Sequence, residues 1–154
     1  MDKHQKKDLV EQVLIGAREY GISMVLFRNI VAERLGLNVT DIECLGLLFH
    51  KGLATPSELA KHTGLSSGAT TAMLDRLEKS GLIERRPNPE DRRGTLICIV
   101  KSGAERVAPL FASSRKAQDE LVSSYTEEEL KLLADFFRKS VAMYEIECSK
   151  LQRR

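Results

Sequence analysis

A chain of 154 residues has the length of one ordinary domain, and 42% apolar with 30% charged residues permit a packed core and argue against wholesale disorder. With 24 Lys and Arg against 22 Asp and Glu the net charge is +2, so an electrostatic partner has to be met by a local patch. The three cysteines (Cys44, Cys98, Cys148) are scattered and form no C-x-x-C pair, and the histidines (His4, His50, His62) do not cluster with them, which argues against a disulfide framework or a zinc finger.

The charged start "MDKHQKKDLVEQ" lacks an apolar signal core, and no run reaches the length of a membrane span. A soluble cytoplasmic protein with no membrane partner is expected. Between Lys7 and Leu37, the residues Val10, Val13, Ala17, Tyr20, Met24, Phe27, Val31 and Leu35 follow in steps of three and four, one long helical face. Gly16 and Gly21 should weaken and bend it.

"LNVTDIECLGLLF" predicts a second helix, with Thr40 as N-cap, Glu43 completing a capping box, and Gly52 as the stop. "TPSELAKHTG" repeats that grammar: Thr55 caps, Pro56 takes the first helical position, Glu58 sits three after the cap, and Gly64 ends the helix. After "LSSG", the segment "ATTAMLDRLEKSG" predicts a helix that turns Ala69, Met73, Leu74 and Leu77 inward and Thr70, Thr71, Asp75 and Lys79 outward. "LIERR" and "TLICIVK" read as two strands joined by a turn containing Pro87 and Pro89.

Past Lys101 the pattern returns to helix, capped by Ser102 with Glu105 and expected to kink at Pro109. The last helix opens at Thr126 with "TEEEL", three acids at the positive end of the helix dipole. Its apolar stripe is Leu130, Leu133, Phe137, Val141, Tyr144, Cys148 and Leu151.

The middle of the chain therefore reads helix, tight turn, helix and two-stranded wing, the helix-turn-helix pattern of a DNA-binding lobe. A helix that enters the major groove needs short polar residues at its start. Ser66, Ser67, Gly68, Thr70 and Thr71 supply them. The hairpin "RRPNPEDRRG" gathers Arg85, Arg86, Arg92 and Arg93, suited to straddling a phosphate backbone and reaching into a minor groove. Gly94 permits the turn back into strand. Asp91, out of place on an anion-binding tip, is read as a brace for a nearby arginine.

The stretch "GLATPSELAKHTGLSSGATTAMLDRLEKSGLIERRPNPEDRRGTLICIVKSG" closely resembles the MarR (multiple antibiotic resistance regulator) family of winged helix-turn-helix transcriptional regulators. The resemblance rests on "SELA", "LDRLEKSGLIER" and, above all, "NPEDRRG", which matches the family's wing signature of Asp, any residue, Arg and Gly. It covers roughly Gly52 to Gly103. It implies a mainly α fold with a small β-hairpin wing, a lobe over 38–101, and dimerisation helices over 1–37 and 102–154. It also implies Arg93 as the wing-tip arginine, Asp91 as its bracing acid, and residues 66–71 as the DNA-facing start of the recognition helix. The implied partners are a double-stranded, pseudo-palindromic operator and a second copy of the chain in a homodimer. The implied activity is repression relieved by a small aromatic or anionic effector, and Met24, Phe27, Phe49 and Phe111 are candidates to line its cleft.

Plainer roles compete for several of these residues. Arg76 suits a structural ion pair as well as a phosphate contact or a bridge to Asp91. Lys61 and Lys79 read as solvated lysines, and Met24, Phe27, Phe49 and Phe111 equally as core. Cys44 and Cys98 read as small buried hydrophobes, and no cysteine lies in the first helix where the family's peroxide sensors carry theirs. No metal, cofactor or catalysis is expected, because no phosphate loop, nucleophile elbow or acid–base pair is present. The rival to a DNA-binding regulator is a winged-helix module that binds protein.

Overall fold

The computed structural model describes residues 3–91 and 94–152. Six helices and three short strands follow in the order α1 (Lys3–Leu35), α2 (Val39–Lys51), β1 (Leu53–Ala54), α3 (Pro56–Thr63), α4 (Ser67–Lys79), β2 (Ile83–Pro87), β3 (Thr95–Ile99), α5 (Lys101–Ser123) and α6 (Glu127–Gln152). The chain divides into two compact units, residues 1–110 and 111–154. Among the described residues, no helix is long and apolar enough to cross a membrane.

In the first unit, α1 runs through Gly16 and Gly21 for 33 residues, about 50 Å at 1.5 Å per residue. Only its end is buried, at Val31 and Ala32. There Arg28 pairs with Glu43 of α2. Gly36 carries φ +66° and turns the chain out of the helix, a conformation costly for any residue with a Cβ. The cap of α2 is Asn38, not Thr40, which lies inside the helix. The Asn38 amide donates to Asp41 Oδ2 at 2.9 Å, so the reciprocal carboxylate sits two residues before the expected Glu43.

The α3 cap is as the sequence reads. Glu58 N donates to Thr55 Oγ1 at 3.3 Å, and Thr55 N donates back to Glu58 Oε2 at 2.8 Å. Lys51 pairs with the same carboxylate. That bond, joined by those from Thr55, holds the Glu58 carboxyl down to about 2. Gly64 then ends α3 in the left-handed conformation.

A three-stranded antiparallel sheet, order β1-β3-β2, completes the lobe. Leu53 faces Cys98 in the first pairing, while Ile83 faces Ile99 and Pro87 faces Thr95 in the second. The two-residue β1 is too short to carry an alternation and was not anticipated. Leu45, Leu48, Leu59, Met73, Leu77, Leu82, Ile83 and Ile97 form the core between the helices and the sheet, all at most 2% exposed. Cys44 and Cys98 are buried with them.

The start of α5 is locked to the turn between α4 and β2. A Cβ on Gly103 would stand 2.4 Å from the Leu82 carbonyl oxygen and 2.8 Å from its Cα. Val100 N donates to that oxygen at 3.1 Å, and Arg106 Nη1 donates to Ser80 O at 2.8 Å. Ser102, expected as a cap, stands inside the first turn of α5 instead. Pro109 lies inside the helix, which continues past it.

In the second unit, α6 is capped as expected: Glu129 N donates to Thr126 Oγ1 at 3.3 Å and Thr126 N to Glu129 Oε2 at 2.8 Å. Among the described residues, every buried hydrophobic side chain belongs to the first unit. Phe137, Val141, Tyr144 and Leu151 of the predicted stripe are more than half exposed, as are Leu132 and Ile146 outside it.

Two outcomes test this packing. Gly103→Ala must push the Leu82 backbone away, so urea unfolding should show a loss of about 1–3 kcal/mol, the usual cost of overpacking; an unchanged midpoint would mean the junction is loose. The Cys44 thiol is pushed up to about 12, chiefly by burial and then by the Asp41 charge, and burial also raises Cys98. Both thiols therefore stay protonated at neutral pH. Mass spectrometry after brief alkylation of the native protein should find them unmodified, with labelling only after unfolding.

Candidate nucleic-acid interface

Helices α3 and α4 meet across Gly64, Leu65 and Ser66, the tight turn the sequence predicts. Ser66 is the N-cap of α4, its Oγ accepting from Ala69 N at 3.3 Å. Ser66, Ser67, Gly68, Ala69, Thr71 and Ala72 are exposed, so the opening turn and a half of α4 offers a small-residue surface. Thr70 departs from the expected outward face. It is 2% exposed, and its hydroxyl donates to Ser66 O at 2.9 Å, because position 70 falls on the same side as Met73, Leu74 and Leu77. Thr71 remains outside and donates to Ser67 O at 3.1 Å.

The arginines divide into two kinds. Arg76 turns away from the exposed face and grips Asp41, fully buried on α2, through Nε at 2.9 Å and Nη2 at 2.5 Å. This fork-on-carboxylate geometry, together with the Asn38 amide, gives the buried charge three donors. The hydrogen bond to Asp41 raises the pKa of the guanidinium further, against a smaller effect of burial. Of the three roles weighed for Arg76, its side chain takes the ion pair, with a partner 35 residues away.

Arg85 also turns inward. From β2 it reaches back to α4, with Nη2 2.6 Å from Asp75 Oδ1 and Nη1 on Glu78. The wing strand is thereby tied to the recognition helix, and the two carboxylates neutralise the cation. Arg86, more exposed, pairs with Glu84 on its own strand, Nε to Oε1 at 2.7 Å. The same carboxylate accepts from the Cys98 thiol at 3.5 Å, and these bonds, that of Arg86 foremost, lower its pKa.

The tip is closed by backbone bonds. Asn88 N donates to Gly94 O at 3.0 Å and Gly94 N to Asp91 O at 2.8 Å, while the Asn88 side chain accepts from Glu90 N at 3.0 Å. Gly94 sits in tight space: a Cβ there would stand 3.1 Å from Asn88 Cβ and 3.2 Å from Asp91 O, so its neighbours would have to give by a few tenths of an ångström. Arg92 and Arg93, and with them the reading of Asp91 as a brace for an arginine, lie outside the described residues. Asp91 itself is exposed.

Met24 and Phe27 lie half-buried on α1, and Phe49 is 39% exposed near the end of α2. Phe111 belongs to the second unit, where it is half-buried. Among the described residues no group of three or more His, Cys, Asp or Glu side chains is placed to hold a metal ion. The residues that the sequence did not single out are the acids, Asp41, Asp75 and Glu78. Asp41 and its Asn38 cap form a visible box, but nothing local announces the guanidinium that it receives.

A model of the MarR family matches residues 37–95, from the start of α2 to the beginning of β3. The chain is 34% identical to the uncharacterized HTH-type transcriptional regulator YcgE of Bacillus subtilis (strain 168), over 98% of each protein. It is 36% identical to the multiple antibiotic resistance protein MarR of Salmonella typhimurium, over 68% of this chain and 74% of that one. Among solved structures, a MarR mutant from E. coli complexed with operator DNA aligns with TM-score 0.55 at 26% identity, covering 86% of this chain and 97% of that one. A mutant of MepR from S. aureus aligns with TM-score 0.68 over 86% and 96%; at 21% identity it speaks for the fold alone. With the winged lobe, its capped recognition helix and a regulator matched along nearly its whole length, the chain belongs to the MarR family of transcriptional regulators.

Proposed function

We propose that this regulator is a homodimeric repressor that reads a pseudo-palindromic operator and is released by a small molecule. The observation that carries DNA recognition is the surface at the start of α4: exposed, small and polar, with its end of the helix offering N–H groups to phosphate. The likeness to a protein solved with operator DNA supports the same reading. The wing tip, with Arg92 and Arg93, supplies the cations for the flanking groove, whereas Arg76 and Arg85 act as internal braces.

The homodimer is supported by uncovered apolar surface. On α1, Leu14, Ile22, Val25, Leu26 and Ile30 are each more than half exposed, and they lie off the predicted stripe as well as beside it. A helix apolar on most of its circumference needs burial, and patches of this extent mark interfaces. A twofold dimer places two recognition helices on half-sites about one helical turn apart, roughly 34–36 Å. Relief requires an effector that binds better to a form unsuited to the operator, which then weakens DNA binding by linkage. Met24, Phe27 and Phe49, all in the first unit, offer apolar contacts to such an effector.

The test is a titration of a palindromic duplex, selected from a random pool, followed by fluorescence anisotropy and sedimentation. We expect two chains per duplex, and affinity falling about 10³-fold or more between about 50 and 200 mM salt. Arg93→Ala should cost about 1–3 kcal/mol of binding with thermal stability unchanged. A monomer at micromolar concentration, or no salt-dependent duplex binding, would favour the protein-interaction module instead.

A further inference from the structure

The exposed surface of α4 is unusual in what it lacks. Proteins read guanine with Arg or Lys, adenine with Asn or Gln, and cytosine with an acid; thymine alone offers a methyl group to apolar side chains. From Ser67 to Asp75 the helix reads "SGATTAMLD", with no Arg, Lys, Asn or Gln. Its next cation, Arg76, is held by Asp41. Lys79 stands at the far end, about 18 Å along the axis from Ser67. The acid in this stretch, Asp75, is engaged by Arg85 of β2.

Besides Asp75, which is paired but exposed, the outward residues of this stretch are Ser67, Gly68, Ala69, Thr71 and Ala72. The Thr71 hydroxyl is donated to Ser67 O at 3.1 Å, so its proton is spent within the helix, which leaves its oxygen as an acceptor and its methyl as the apolar contact. Ala69 and Ala72 are three residues apart and so neighbours on the helix surface, while Thr71 stands about 100° round the helix from Ala72, on the other flank of the exposed face. At Gly68 nothing lies within 4 Å of where a Cβ would stand, so a base edge can approach the backbone there.

We propose that α4 recognises its half-site through thymine methyl groups, with Ala69, Thr71 and Ala72 as the specificity-determining side chains. This rests on the reading that α4 enters the major groove of an operator. It assigns the class of sequence read: half-sites whose α4-facing positions carry thymine, chosen by apolar contact and not by hydrogen-bonding forks. Ser67 remains a hydroxyl able to serve either strand without adding discrimination.

The experiment uses the full chain and a duplex selected from a random pool, in which each thymine is replaced in turn by deoxyuridine, removing the methyl and nothing else. Affinity should fall about fourfold for each methyl contacted, the value of one buried methyl or methylene group, and more than tenfold when both half-sites are changed. Thr71→Ser keeps the hydroxyl and deletes the methyl. It should weaken binding more than tenfold on the thymine duplex, because both copies in the dimer lose the contact at about fourfold each, with an unchanged melting temperature, and cost little more once the partner thymines in both half-sites are uracil. Salt-dependent binding that ignores every uracil would overturn the methyl readout and leave the regulator reading standing. Equal losses for Thr71→Ser on thymine and uracil duplexes would overturn its assignment, and failure to select any duplex would overturn both readings.

Discussion

The buried carboxylate of Asp41 is the contact on which the orientation of α4, and so of the proposed DNA-facing surface, depends. An ionised group taken fully out of water is tolerated only when its lone pairs are met by good donors. Here the Arg76 guanidinium supplies two and the Asn38 amide a third. Those three bonds draw the recognition helix and the first turn of α2 to one point. Because α2 is in turn paired with α1 through Glu43 and Arg28, and α4 with the wing through Asp75, Glu78 and Arg85, four elements are joined by charged side chains. The apolar core of the lobe supplies the burial; these directional contacts select the orientation within it.

The same contacts show how a chain with little net charge pairs its cations with acids. Arg76, in α4, and Arg85, on β2, are paired with acids of the fold, Asp41 for the first and Asp75 with Glu78 for the second. Arg86 is balanced by Glu84. The start of α4 is left with small side chains. Such a surface allows close approach in the major groove without the strong, sequence-independent pull that a cationic helix would exert.

Elements whose signals are local were legible in the sequence. The Thr55–Glu58 and Thr126–Glu129 boxes are three-residue patterns, so both helix starts are read directly. The α2 start was misplaced because "NVTDIE" holds two overlapping boxes, Asn38 with Asp41 and Thr40 with Glu43, and local chemistry does not choose between them. Burial chooses the first, since Arg76 waits for Asp41. Thr70 looked polar and outward, yet helical periodicity puts it over Met73 and Leu74, where its hydroxyl is satisfied by Ser66. Gly103 falls inside the Ser102–Glu105 segment that reads as a cap. Its need for glycine comes from the Leu82 backbone twenty-one positions away, which no window along the chain reveals. Which acid Arg76 and Arg85 meet is decided by tertiary structure, so the helix-turn-helix and the wing strands were readable before those pairings were.

The most direct test of the central claim is a double-mutant cycle on Asp41 and Arg76, followed by urea unfolding. Asp41→Ala alone should cost about 3 kcal/mol, the low end for breaking a buried pair, because Arg76 keeps 40% of its side chain exposed and water compensates part of its loss. Adding Arg76→Ala should cost little more, giving a coupling of about 1–3 kcal/mol. Additive losses from the two substitutions would contradict the account, since the recognition helix would then be held by apolar packing alone.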